Sequence, residues 1–412
     1  MHVVRLMKDD VVLSSVSARS DGSRPSSSDK RRPVRALHVF ASLNRGGAET
    51  WLMDVVRNSS RDELALDVCV TRGSHGVHED EFMSLGGQVH RCPLGRNPWR
   101  FAARFRRLLS HGPYNVVHSH LYYFSGVVLR AAAKAGVPQR VAHNHPVEDL
   151  KSGRLIRPIY VTWMRRWMCR YGTDFVGPTR ASLEALWGPN WERDPHKWVL
   201  YNGIRVERFL KPVDRVAVRD ELGIPRDARI VLNVARFVPH KRQSFLVDVA
   251  RRLLGRHANV YFLLIGDGPL RDEVEQRVRN ADLRQSFRFI RGLPSIDRYW
   301  LSADVFAFPS VNEGFGIVIV EAAAAGLPVV AHDIPGVREA ASACASPVLL
   351  TLDASPEAWA DAIDEALHRP VWEDARRAAM LRSFPFTIEA SIRSLRELYG
   401  LGRRRTEGAL QS

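Results

Sequence analysis

Long hydrophobic runs are missing from this chain. None reaches the roughly 18 uncharged apolar residues that a membrane-spanning helix needs, and the longest candidate, 315–331, is interrupted by Glu321, Gly326 and Pro328. Any meeting with a membrane is therefore expected at its surface. Cysteine is scarce as well. The four present, Cys69, Cys92, Cys169 and Cys344, lie far apart with no C-x-x-C pair, which argues against a zinc ribbon or a disulfide framework and fits a reducing cytoplasm. No D-x-D triplet occurs, and no cysteine or carboxylate cluster completes a site around the His-x-His pairs, so no metal site is expected. Acidic residues are in the minority, 45 against 60 Lys and Arg, which leaves a net charge of +15. Such an excess asks for an acidic partner, whether nucleic acid, anionic lipid or a phosphorylated small molecule. Neither an aromatic-basic stacking strand nor a groove-reading helix stands out, so nucleic acid is the least favoured of the three.

What is present is the pattern of a soluble α/β protein. A single core seldom grows past about 250–300 residues, and 412 residues therefore suggest two domains. Residues 1–33 are rich in Ser, Arg, Lys and Asp and read as a disordered N-terminal extension. Beyond them, short β-branched or apolar runs alternate with helical stretches, the mark of parallel layers. In the first half these runs are ALHVF (36–40), ALDVCV (65–70), NVVHSH (115–120), RVAHNH (140–145) and DFVGPT (174–179). The second half repeats the scheme with IVLNVAR (230–236), VYFLLIG (260–266), FRFIRG (287–292), VFAFPS (305–310) and PVVAHD (328–333). Two similar sheets are implied, joined by a polar linker at 206–229 with a short helix over 215–222. The expected division is a first Rossmann-like domain over 34–205, a second over 206–385, a terminal helix over 386–400 and a basic tail over 401–412. Ile388, Ile392, Leu395 and Leu398 share one face of that last helix, with Thr387 as its N-cap, so it is expected to pack back across both domains.

The stretch NEGFGIVIVEAAAAGLPVV (312–330) poses a conflict. GIVIVE alternates like a strand, whereas EAAAAG is helical with Gly326 as a natural stop. Two parallel strands joined without a crossover have no room to pair, so connectivity favours a helix over about 316–325. Glu313 then lies at the carboxyl end of a strand, and Glu321 lies inside the following helix. Ligands of open α/β sheets bind at that edge, where Gly314, Phe315 and Gly316 offer backbone N–H groups to an anion or to sugar hydroxyls. Val320 and the alanines around Glu321 argue for burial, and an unpaired buried carboxylate is costly; a ligand would relieve it. Arg236 and Lys241, between a strand and a helix, place two cations where a diphosphate could lie.

Taken together, these segments resemble the retaining family 4 glycosyltransferases of GT-B architecture, in which two Rossmann-like domains face each other across a cleft. EGFGIVIVE resembles their E-x7-E motif, and RGGAET (45–50) the glycine loop after their first strand. VHSH and AHNHP, YNGI (201–204), ARFVPHK (235–241) and IGDGP (265–269) follow in the family's order across residues 34–400. RVAHNHP is closest to bacterial exopolysaccharide and capsule enzymes. The resemblance implies a nucleotide-sugar donor, a UDP- or GDP-sugar, held mainly by the second domain, with no resident cofactor and no metal. Arg236 and Lys241 would hold its pyrophosphate, Glu321 its ribose and Glu313 the transferred sugar. Gly46, Gly47 and Gly268 would allow close backbone approach, and His145 and His120 would stand near the reacting sugar. The resemblance also implies a saccharide acceptor on a lipid-linked chain at the inner face of the cell membrane. NPWRFAARFRRLL (97–109) and RPIYVTWMRRWMCR (157–170), which mix aromatics with arginine, would face that surface. The same segments also fit plain amphipathic helices with their tryptophans in the core. A nucleotide-sugar epimerase of the same fold and a basic nucleic-acid-binding protein are the alternatives.

Overall fold

Two parallel sheets organise the computed structural model, which describes residues 33–95, 97–144, 156–292, 295–369 and 372–401. The first holds β1 (Val34–Phe40), β2 (Leu64–Val70), β3 (Val89–Arg91), β4 (Val116–Ser119), β5 (Gln139–His143), β6 (Asp174–Gly177) and β7 (Lys197–Val199) in the order β3-β2-β1-β4-β5-β6-β7. The second holds β8 (Arg229–Val234), β9 (Val260–Ile265), β10 (Phe287–Ile290), β11 (Val305–Phe308), β12 (Val329–His332) and β13 (Val348–Leu350) in the order β10-β9-β8-β11-β12-β13. Every pairing between neighbouring strands is parallel. Three-residue strands at the edges, β3, β7 and β13, leave no mark among the hydrophobic runs, because a strand that short carries too little alternation to register.

Helices cover both faces of each sheet, which explains why the strands are apolar along most of their length: β2 is buried at all seven positions. The segment after β11 is a helix over Ile317–Ala325, closed by Gly326 in the left-handed conformation at φ 75°. Connectivity overrides β propensity there, since the helix is the crossover between the adjacent parallel strands β11 and β12. A short helix spans Arg215–Leu222 inside the linker.

The terminal helix, Ile388–Leu398, starts at Thr387, whose hydroxyl accepts from Ala390 N at 3.1 Å. Its apolar face joins the core of the first sheet, where Ile388, Ile392, Leu395 and Tyr399 pack with Trp51, Leu52 and Val116. Trp51 Nε1 donates to Ser391 Oγ at 2.7 Å, and Ser391 in turn donates to Tyr201 O at 2.8 Å. Ile204 exchanges backbone hydrogen bonds with Phe386 and Ile388, at 2.9 and 2.8 Å. Gly203 permits this approach, because an added Cβ would stand 2.0 Å from Thr387 O. Chain end and linker thus cross side by side.

In each sheet the strand order reverses once, between β1 and β4 and between β8 and β11. Such a switch point opens a crevice at the carboxyl ends of its strands. Both crevices fall on the loops that the sequence singles out.

Candidate functional site

After β8 the chain turns through Pro239–Lys241 and enters the helix Gln243–Leu254 by way of Arg242, a non-glycine residue in the left-handed region at φ 51°. That conformation is costly without support; here Gln243 Nε2 donates to Arg236 O at 2.8 Å and Val311 N to His240 O at 2.9 Å. The loops after β8 and β11 are thereby tied together. Lys241 Nζ forms an ion pair with Glu313 Oε1 and lies 5.1 Å from the centre of the Phe308 ring. Both side chains are mostly enclosed, so the pair is held rather than solvated.

Gly266 and Gly268 adopt φ 151° and 152°, and a Cβ on either would strike the backbone of Ala235 or Phe237, at 2.0 and 2.5 Å from their carbonyl oxygens. Close packing of the GDG turn under the Arg236 loop therefore accounts for both glycines. Gly316 is in the left-handed region at φ 79°, where it admits the chain into the helix that carries Glu321. Gly336 backs the same loop: a Cβ there would meet Glu313 O at 2.5 Å and Gly314 O at 2.9 Å. Phe315 is buried against Tyr201 and Phe386, with ring centres 5.5 and 5.1 Å away, so its side chain anchors the loop rather than facing a crevice.

Glu321 corrects one step of the sequence argument. Its carboxylate has a protein partner: Arg208 Nη1 stands 3.5 Å from Glu321 Oε1, while Arg208 also binds Asp297 through Nε at 2.8 Å. The buried acid therefore does not need a ligand to be paired. It does compete with Asp297 for a single guanidinium, and burial pushes its carboxyl up to about 7 against the pull of Arg208, with Asp297 and Asp54 adding repulsion. Burial also works against the charge of Arg208, but Glu321, Asp297 and Asp54 outweigh it and hold that group above the usual guanidinium range. Arg208, Asp297 and Asp54 escape a reading of the sequence because they belong to the linker, a short helix and the opposite domain.

The first sheet faces these loops directly. Gly47 begins the helix Gly47–Arg57, and a Cβ on it would lie 3.9 Å from Ile317 Cγ2. Gly46 is pressed by its own helix, with Glu49 Oε2 2.3 Å from where a Cβ would stand. Burial pushes the Glu49 carboxyl up to about 7, opposed by its own backbone N–H and by the charge of Arg236. Arg45 donates to Gly292 O, and Arg205 Nε lies 3.1 Å from Asp54 Oδ1. Thr179 caps the helix Arg180–Trp187 by accepting from Ser182 N at 3.0 Å and donates to Gly314 O at 3.1 Å. Glu339 completes the contact, taking Arg180 N at 3.0 Å and the Tyr201 hydroxyl at 2.6 Å.

The histidines divide. His145 lies outside the described residues. His120 follows β4 and is partly exposed, stacked on Phe40 with ring centres 4.0 Å apart. His118 and His143, from the VHSH and AHNHP segments, are wholly buried inside β4 and β5. They meet His38 of β1 and Tyr399 beyond the terminal helix, neither of which stands out in the sequence. Strand pairing puts His38 opposite His118, a match that only the β1-β4 neighbourhood reveals.

Comparison with known proteins agrees with this architecture. Residues 46–203 match the Glycosyl transferase 4-like domain, and residues 214–380 match Glycosyl transferases group 1. EpsF of Bacillus subtilis (strain 168), a glycosyltransferase by name, is 33% identical over 305 residues, covering 73% of this chain and 79% of that protein. The capsular polysaccharide biosynthesis glycosyltransferase CapH of Staphylococcus aureus is 24% identical over 371 residues, covering 89% and 98%. Among solved structures, Anabaena HepE in complex with UDP and glucose superposes with a TM-score of 0.73 at 21% identity, covering 89% of this chain and 99% of that one. Sucrose-phosphate synthase from Thermosynechococcus elongatus gives 0.69 at 19% identity, covering 90% and 98%. The chain belongs to the glycosyltransferases of GT-B architecture, and one of its relatives is named for capsular polysaccharide biosynthesis.

Proposed function

We propose that the protein is a retaining glycosyltransferase that moves a sugar from a nucleoside diphosphate sugar to a hydroxyl of a lipid-linked saccharide during exopolysaccharide or capsule synthesis. The observation that carries this reading is the grouping of Arg236, Lys241, Glu313 and the Gly314–Gly316 loop at one switch point, with Lys241 and Glu313 already paired. The domains are assigned as 34–205 and 206–385, with the terminal helix over 386–400, so that donor contacts fall mainly on the second. HepE was captured with UDP and glucose, which favours a uridine donor over a guanosine one.

Departure of a nucleoside diphosphate concentrates negative charge on the β-phosphate. Arg236 and Lys241 supply fixed positive charge there, the role a metal plays elsewhere, so the reaction requires neither metal nor resident cofactor. Diphosphate binding would draw Lys241 from Glu313, freeing that carboxylate to accept sugar hydroxyls. Ionised Glu321 would accept the two ribose hydroxyls, with Arg208 keeping its charge in place. The leaving phosphate takes the acceptor proton on the same face, which needs no carboxylate nucleophile. His120 and His145 are assigned to the sugar side of the cleft.

No described helix is long and apolar enough to cross a membrane. Trp99, Ile159, Tyr160 and Trp163 nevertheless project from two helices of the first domain, each at least 42% exposed. Arg130 stacks on Trp99 and Trp167 at 5.0 and 4.7 Å between them. Aromatic tips among arginines suit the interface of an anionic bilayer, and support a cytoplasmic protein docked on the inner membrane face.

The test is thermal shift with UDP-, GDP- and other nucleotide sugars on the wild type, Arg236→Ala and Glu321→Ala. Stabilisation by one nucleotide class in the wild type and its loss in both variants is expected; equal shifts in all three proteins would remove the donor site. Product analysis with donor alone separates transfer from epimerisation, since an epimerase converts its donor without an acceptor.

A further inference from the structure

The glycine loop of the first domain touches the second domain at two points, one on each side of the loop that carries Arg236. On one side Gly47 stands against Ile317, at the head of the helix behind Glu313, where an added Cβ would lie 3.9 Å from Ile317 Cγ2. On the other side Arg45 donates to Gly292 O, just past the end of β10. The strand order β10-β9-β8-β11 sets the β8 loop between those two landing points. Glu49, in the first turn of the helix that follows Gly46, feels the charge of Arg236 and gives a third bearing on the same facing. The glycine loop therefore spans the segment that holds Arg236 and Lys241.

Hydrogen bonds carry the Arg45 end to the same place. Gly292 N donates to Asp267 Oδ2 at 2.9 Å, and Asp267 O accepts from Phe237 N at 2.9 Å. Phe237 is the neighbour of Arg236 in the chain. Arg45, Gly292 and the GDG turn thus stand in one bonded series that ends beside a cation already assigned to phosphate.

Arg45 has no counter-charge. Among the described residues no carboxylate lies within ion-pair distance of it, and its guanidinium rests on a neutral carbonyl. Its neighbours differ: Arg57 lies 2.7 Å from Asp54 and 2.7 Å from Glu81, and Arg205 lies 3.1 Å from Asp54. A guanidinium bonds an ionised oxygen roughly twice as strongly as a neutral one, and its planar fork suits the two oxygens of a phosphate. Gly292 is partly exposed, so its carbonyl can return to water when the arginine leaves. An anion between the two loops would therefore win Arg45 from Gly292.

We infer that Arg45 is a third cation for the donor diphosphate, which trades Gly292 O for a phosphate oxygen when the donor lies between the glycine loop and the β8 loop. Arg236 and Lys241 come from the second domain and Arg45 from the first, so the diphosphate bonds both walls of the cleft at once. Its charge then draws the domains together over the donor. Reading the anion as a donor diphosphate rests on the proposed function; the position of a guanidinium without a carboxylate partner beside the Arg236 loop does not. The competing role is a plain strap between the domains, in which the bond to Gly292 is all that Arg45 contributes.

Calorimetric titration of the full chain with UDP, uridine and inorganic pyrophosphate, on the wild type, Arg45→Ala and Arg45→Lys, separates the two. UDP and pyrophosphate should bind Arg45→Ala about tenfold more weakly than the wild type, the scale of one charge-assisted bond less the carbonyl bond it replaces, while uridine is unaffected. Arg45→Lys should fall between them, because an ammonium keeps the charge and loses the fork. Equal pyrophosphate affinity in the wild type and Arg45→Ala would overturn the assignment. Tighter binding in Arg45→Ala would do so in favour of a strap that only obstructs the cleft, and so would an equal loss for uridine and UDP, which would trace the effect to the loop rather than to phosphate. If pyrophosphate binds and weakens in Arg45→Ala while no nucleotide binds, Arg45 keeps its role and the donor assignment falls; if neither binds the wild type, both fall.

Discussion

The carboxyl edges of the two sheets are built on the same topology and filled with opposite chemistry. At the β8/β11 switch point the side chains form ion pairs: Lys241 with Glu313, and Arg208 between Glu321 and Asp297. At the β1/β4 switch point they are rings joined by hydrogen bonds, His38, His118 and His120 with Tyr399. One edge suits a ligand that brings its own charge, as a diphosphate does; the other offers hydrogen-bonding rings to a neutral hydroxyl. A fold made of two similar halves thus sets fixed charge on one edge and hydrogen-bonding rings on the other.

The contrast is most exposed to failure at Lys241. Lys241→Ala should lower kcat/KM by about 10²–10³, the scale of removing one fixed donor from a developing anion, whereas His120→Gln should cost at least tenfold less than that. Steady-state kinetics on a nucleotide-sugar donor measures both. Similar losses in the two variants would erase the division between the edges, and a larger loss in His120→Gln would invert it.

How much of this was legible in the sequence follows from how each edge is assembled. The ionic edge is written in short segments: Arg236 to Lys241 is one turn, and Glu313 to Glu321 is one loop with half a helix. Local spacing therefore exposed it, together with the helix over about 316–325; the strand order that makes it a switch point was not read from the sequence. The Arg208 link did not show, because it joins residues 113 positions apart. The ring-lined edge draws on β1, β4, β5 and the chain end, with His118 and Tyr399 281 positions apart; nothing local marks them as neighbours. Buried histidines also read as strand ends in a one-dimensional pattern, so nothing in VHSH or AHNHP separates His118 and His143 from the partly exposed His120. Strands of three residues at the sheet edges escaped for want of periodicity.

A smaller effect concerns pH at the ionic edge. A glutamate carboxyl ordinarily titrates near 4.5, and that of Glu321 is pushed up to about 7 in the fold. The folded state therefore holds this proton when the unfolded chain has lost it. The associated stability is fully present below 4.5 and is lost as pH rises through 7, up to about 3 kcal/mol at 1.36 kcal/mol per pKa unit. Glu49 is raised into the same window, so Glu321→Gln should flatten the fall in Tm between about pH 5 and 8 without abolishing it. Donor affinity should move the other way, strengthening with pH in the wild type as the carboxylate forms and staying weak and flat in the variant. Denaturation and nucleotide titration across that range test both, and an unaltered Tm slope in Glu321→Gln would mean that Arg208 already keeps the acid ionised.

The smallest effect tests whether the edges communicate through the loop that separates them. The Thr179 hydroxyl accepts from Ser182 N and donates to Gly314 O, so one oxygen caps a helix of the first domain and holds the loop between Glu313 and Gly316. Thr179→Val keeps the shape and removes both bonds, at about 0.5–2 kcal/mol for the cap alone. Thr179→Ser keeps both. If the loop bond matters to the donor, Thr179→Val should weaken nucleotide binding several-fold while Thr179→Ser does not. A loss of Tm with nucleotide affinity intact would reduce Thr179 to a helix cap and leave Glu339, with its bonds to Arg180 N and Tyr201, as the connection that sets the two edges at a fixed distance.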